Sequence, residues 1–197
     1  MRKLTVDDIV DLRAYERERT DLRRRIIELK RTRRVALGPI LTVLFENTDT
    51  MRWQVQEMAR AERMLRDEQI AHEVDTYNGL IPDAGELSGT LFLELTSDDA
   101  LREWLPRLVG IEFHVGIVLP DGSRVPGRPS DEDEERLTRD DTTAAVHYLR
   151  FRFTPQQVGE FERGPVQVVV DHPEYRHHVT LDESQHAALV PDLVDLT

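Results

Sequence analysis

Apolar residues recur at helical spacing from Tyr15 through Leu22, Ile26 and Leu29, with charged residues between them. That is the periodicity of an amphipathic helix. Thr5 and Asp8 read as a reciprocal cap at its start, so the pattern predicts a first helix ending near Thr32, with room for one break. Next, Val35-Ala-Leu and Leu41-Thr-Val-Leu-Phe-Glu46 are β-prone runs flanking Gly38 and Pro39, which predicts a hairpin. Asn47 to Thr50 supplies caps for a long helix over 51–71, and 77–82 reads as a loop. A strand follows over 90–95, then a short helix capped by Thr96 or Ser97 and ending near Leu108. Residues 111–119 read as a strand closed by the turn Pro120-Asp-Gly122. Residues 125–141 are proline-rich, then acidic, and read as an exposed loop with at most one helical turn. Residues 144–153 form a strong strand. Thr154-Pro-Gln-Gln157 combines a capping box with proline at the first helical position. Strands over 166–170 and 176–181 flank a turn at Asp171-His-Pro173, and 182–185 opens a last short helix.

Strands and helices are mixed without the regular alternation of a doubly wound sheet. The expectation is an α+β fold: a mainly antiparallel sheet with a long central helix and an N-terminal basic helix packed on one side. Residues 1–153 are expected to form the main domain. Residues 154–197 read as a helix-hairpin-helix extension packed on that domain, a partner subunit being the other seat for its hairpin.

Cysteine is absent. Disulfides, thiolate metal sites and cysteine nucleophiles are excluded, so any metal would be held by His, Asp, Glu or Gln. No segment approaches the roughly 20 apolar residues of a membrane span, and the first residues lack a signal peptide's apolar stretch. A cytoplasmic protein without membrane contact is therefore expected. The net charge of -12 opposes non-specific nucleic-acid binding. Charge is uneven, however: Arg23, Arg24, Arg31 and Arg34 belong to a basic run over 17–34 that Glu16, Glu18, Asp21 and Glu28 only partly balance. These arginines are candidate interaction residues. They either face solvent in i, i+4 ion pairs or meet an acidic surface of a partner subunit, which points to a homo-oligomer.

Candidate chemistry centres on carboxylates and histidines. On a helix over 51–71, Glu62 falls within the stripe of Val55, Met58 and Leu65. A carboxylate there needs an arginine, a metal ion or an acid–base role; Glu57 is a secondary candidate on the same helix. Strand alternation puts His147 on the apolar face of 144–153. A strand over 111–119 would place Glu112 and His114 together on its opposite face, where they could chelate a divalent ion. Either site could hold Fe, Mn or Zn. Adjacent His177 and His178 point to opposite faces of their strand and form no simple site together. Neither phosphate-loop fingerprint is present, nor is Gly-x-Ser-x-Gly or His-Glu-x-x-His.

Arg34-Val-Ala-Leu-Gly-Pro39, Phe45-Glu-Asn, Asp49-Thr50, Gln54-Val-Gln-Glu-Met58 and Arg60-Ala-Glu-Arg63 resemble the bacterial family known as domain of unknown function 3501. Tyr77-Asn, Leu80-Ile-Pro82, Val109-Gly-Ile-Glu112 and Val146-His-Tyr-Leu-Arg-Phe151 extend the likeness over nearly the whole chain. The resemblance implies a redox or oxidative-stress setting, because genes of that family often neighbour those of rubrerythrin-like and iron–sulfur proteins; it carries no catalytic residues. The leading expectation is an accessory or interaction protein serving a redox or iron-linked system, with rubrerythrin-like or iron–sulfur proteins as partners. The rival is a metal-dependent enzyme or metal-binding protein using Glu62 with His147 or the Glu112–His114 pair. A third reading, nucleic-acid binding through the basic helix, is opposed by the overall charge.

Overall fold

In a computed structural model, residues 1–129 and 142–194 are described. Their strands are β1 (Arg34–Leu37), β2 (Leu41–Glu46), β3 (Glu86–Leu93), β4 (Val115–Val118), β5 (Arg124–Pro129), β6 (Val146–Arg152), β7 (Gln167–His172) and β8 (Tyr175–Thr180). They form one antiparallel sheet in the order β1-β2-β3-β6-β5-β4-β7-β8. The helices are α1 (Leu12–Arg31), α2 (Thr48–Ala61), α3 (Asp67–Asn78), α4 (Asp98–Trp104), α5 (Pro155–Arg163) and α6 (Glu183–Val194). Short 3-10 turns occupy Val6–Asp8 and Ile111–Phe113.

The sheet curls until its two edges almost meet, giving a nearly closed barrel. Tyr175 on β8 donates its hydroxyl to the Leu37 carbonyl of β1 at 2.7 Å, and Gln185 of α6 reaches the Arg34 carbonyl at 2.8 Å. Alternation sends Val43, Phe45, Leu87, Leu91, Leu149 and Phe151 to the inside. Phe161 of α5 and Leu189 and Leu193 of α6 join the same core. Outside, Arg150 of β6 donates to the Gly79 carbonyl just past α3, so a helical layer lies on the outer face. That layer has its own smaller core of Leu4, Ile9, Met51, Val55, Val74 and Ile81.

A buried arginine joins hairpin and C-terminal helix. Arg33 is 2% exposed and donates to the carbonyls of Phe45, Glu46 and Ala188 and to the Asp192 carboxylate. A buried charge is tolerated only when its donors are answered in this way.

Several expectations need correction. The long helix over 51–71 ends at Ala61, and a second helix starts at Asp67. Arg63 takes the left-handed conformation (φ 52), which stops the helix between them. Met64 is then buried where an unbroken helix would have continued, and Leu65 is 79% exposed. The first helical pattern is also interrupted. Thr5 donates its N–H and hydroxyl to Asp8 over one 3-10 turn, and α1 has its own cap, Asp11. The strand predicted over 111–119 begins only at Val115, because Gly110 (φ 83) turns the chain into the 3-10 segment. Finally, the predicted loop over 125–141 contains strand β5. Its two prolines remove N–H donors, but each half pairs on one side only: Arg124–Pro126 with β4, Gly127–Pro129 with β6. The acidic remainder of that loop lies outside the described residues.

Candidate functional site

Two helices, α1 and α2, build an apolar recess on the outer layer. Asn47 accepts the Thr50 N–H at 2.9 Å and starts α2 directly after β2. α2 therefore runs back along α1, and the two are clamped at one end. Tyr15 donates its hydroxyl to Glu57 at 2.6 Å, and Arg19 grips the same carboxylate through two bonds of 2.8 Å. Arg60 reaches Glu16 at 2.6 Å. The Arg19 guanidinium, outweighing partial burial, holds the Glu57 carboxyl down to about 2. Burial, then the bond to Glu57, pushes the Tyr15 phenol well above its ordinary value. The Trp53 ring lies 6.0 Å from that of Tyr15, edge-on.

Beyond the clamp the helices leave a groove of about 540 Å³. Leu22, Ile26 and Leu29 of α1 and Trp53 of α2 form its apolar lining, and Glu18 and Arg25 stand at its rim. The apolar stripe of α1 is therefore only half-buried along its C-terminal part, and Tyr15 is its one fully buried residue. A wider, shallower depression of about 630 Å³ lies on the other side of α1 beside Leu65. It is open to solvent and lacks aromatic lining, so it offers less surface to enclose a ligand.

The sequence-selected residues distribute over six places. Glu62 is the exposed residue capping α2, not a member of an apolar face. Its expected burial required the helix to continue, and it does not. Glu57 belongs to the clamp just described. Arg23, Arg24 and Arg31 are exposed on α1. Arg34 pairs with Glu94 at 2.5 Å and lies over the Phe92 ring.

Glu112 and His114 do not share a face. The 3-10 turn sends Glu112 inward to 3% exposure and leaves Phe113 43% exposed. Glu112 instead approaches His147, with 3.9 Å between its Oε2 and the imidazole Nδ1. His147 Nε2 lies 3.0 Å from both the Thr143 hydroxyl and the Ala144 carbonyl. His114 sits elsewhere, its Nδ1 3.3 Å from Asp171 and its ring edge-on to His172 at 5.0 Å. Arg124 crosses over Gly116 to reach Asp171 at 2.5 Å, lowering that carboxyl below its usual range. Among the described residues, no three His, Asp or Glu side chains converge where an ion could sit.

Residues 3–193 match the model of a family described as protein of unknown function (DUF3501). The chain belongs to this family. A crystal structure of a novel protein of unknown function from Burkholderia pseudomallei is similar throughout, with a TM-score of 0.89 and 33% sequence identity. The likeness covers 98% of this chain and 100% of that one. No curated protein matches. Within the family's fold, the groove and clamp draw on Trp53, absent from the apolar pattern, and on Tyr15, whose place in the helical stripe gave by itself no sign of a site. Their signal was present: Tyr15 and Arg19, like Trp53 and Glu57, are four apart, so each pair shares one helix face. No helix among the described residues is long and apolar enough to cross a membrane.

Proposed function

We propose that this DUF3501 protein is an accessory or interaction protein of a cytoplasmic redox or iron-linked system, with the α1–α2 groove as its working surface. The observation that carries the reading is the half-buried apolar stripe of Leu22, Ile26 and Leu29 facing Trp53 across an open groove. Aliphatic side chains beside a tryptophan, rimmed by charges, are the composition of protein–protein anchors. The redox setting rests on the family resemblance and its gene neighbours. A deletion strain tests both parts under peroxide challenge, complemented with the wild-type gene or with a Leu22→Glu/Ile26→Glu variant. The expected result is sensitivity on deletion, rescue by the wild type and failure of the variant. Unchanged resistance on deletion, or full rescue by the variant, overturns the reading.

A second reading, a metal-binding protein or metal-dependent enzyme, is favoured by one contact: the buried approach of Glu112 to His147. These two could supply a nitrogen and an oxygen to Fe, Mn or Zn. Elemental analysis of chelator-free protein tests it. About one equivalent of metal, lost in a Glu112→Gln variant, supports it, and metal far below that level refutes it.

A further inference from the structure

We propose that a second copy of this chain covers the groove, through antiparallel pairing of α1 with α1 about a twofold axis beside Leu22. The inference rests on the groove being the working surface and names the first partner that occupies it. Its basis is how charge is arranged around the apolar stripe. At about 100° per residue, Leu22, Ile26 and Leu29 point into the groove, with Glu18 and Arg25 on one flank and Arg23 on the other. Apart from Arg19, held by Glu57, and Glu28, beside Arg31, the charge along these flanks changes sign at Leu22, from Glu16, Glu18 and Asp21 to Arg23, Arg25 and Lys30. Arg13, Arg17, Arg24 and Arg31 fall on the opposite, outer side of the helix.

Some of these charges are already engaged. Glu16 is held by Arg60, and Asp21 and Glu28 are beside Arg24 and Arg31 on their own helix. Glu18, Arg23 and Arg25 have no ion-pair partner among the described residues. A twofold axis at Leu22 brings Glu18 of each copy alongside Arg25 of the other. Parallel pairing would instead swap the flanks, losing both Glu18–Arg25 contacts and turning Arg25 towards the flank of Arg23 and Lys30 on the other copy, which is repulsive. It also centres the apolar contact. Trp53 lies one turn before Glu57 on α2, edge-on to Tyr15, and lines the same groove as Leu22. Leu22, Ile26 and Trp53 of the two copies then form one enclosed patch with a charged rim, the anatomy of a binding hot spot. Exposed ion pairs contribute little affinity by themselves. Here they fix orientation, and the apolar patch supplies the binding. The isologous geometry closes as a dimer.

The test uses the full chain and its lack of cysteine. Leu22→Cys places one thiol beside the proposed axis; Arg24→Cys places one on the outer side of the same helix. Mild oxidation is expected to cross-link Leu22→Cys at least about tenfold faster than Arg24→Cys, through a disulfide between copies. Sedimentation from about 1 to about 100 μM is expected to show a wild-type dimer. Glu18→Arg or Arg25→Glu should each weaken it, and the two together should restore it. Monomeric wild type throughout that range, equal cross-linking at both positions, or no restoration in the double variant overturns the pairing. A monomeric protein whose Leu22→Glu/Ile26→Glu variant still fails to complement sinks the dimer but keeps the groove as the working surface. A dimer whose groove variant complements fully sinks that functional reading instead.

Discussion

Arg33 offers the sharpest check on what holds this fold together. It is 2% exposed, and its guanidinium donates at 2.8 Å to Phe45, 3.0 Å to Ala188 and 3.2 Å to Glu46, all at backbone carbonyls, and to the Asp192 carboxylate. One side chain thereby satisfies the end of β2 and ties α6 to it. Arg33→Met keeps most of the volume but removes every donor. Losing one member of a buried ion pair costs about 3–5 kcal/mol, and each carbonyl left dry adds to the loss by about 1–3 kcal/mol where water cannot reach it. Because these terms overlap, about 3–5 kcal/mol is the expected total. At a urea m value of about 2 kcal/mol per M, the unfolding midpoint falls by about 2 M. Arg33→Lys should fall between the two. Its ammonium keeps a charge for Asp192 but cannot fork across three carbonyls. Urea titrations followed by far-ultraviolet circular dichroism give all three midpoints. A shift below about 0.5 M for Arg33→Met would show that the network is not what joins hairpin to helix.

Other expectations follow from the same structure. Glu57 has a folded value of about 2 against 4.5 unperturbed, so its contribution is complete above about pH 4.5 and is lost as pH falls towards 2. Glu57→Gln should therefore lower stability by about 2–3 kcal/mol at neutral pH, a gap that closes in urea titrations near pH 2; a gap independent of pH refutes the clamp. Gly38→Ala combines a left-handed φ of 75 with a Cβ 2.5 Å from the Tyr175 hydroxyl and 2.7 Å from the His177 ring, and should cost about 1–3 kcal/mol. Gly116→Ala meets only the movable end of Arg124 and should cost less than about 1 kcal/mol; thermal melts that reverse this order would contradict the packing at the barrel seam. Glu62→Ala should change stability by no more than about 0.5 kcal/mol, as an exposed residue does, and a larger loss in denaturant titration would return the side chain to a buried role.

Local rules in the sequence settled much of the chain. The Gly38–Pro39 hairpin, the caps at Asn47, Ser97 and Thr154, and the alternation of Leu149 and Phe151 each depend on residues a few positions apart, and each is present. The absence of cysteine likewise fixed which metal-site chemistries are open to the chain. Tertiary structure alone decided the rest. Nothing local joins Arg33 to Asp192, 159 positions away; they meet because a curled sheet brings its first hairpin against the last helix. Glu112 turned inward because the left-handed Gly110 changed the local period from two to three, and closure of β6 against the neighbouring strands then carried His147 to it. The left-handed conformation of Arg63 likewise overrode a strong helical pattern and moved Glu62 into water. Periodicity specifies which face of an element is apolar, but which faces meet, and which charges they enclose, depends on the path of the whole sheet.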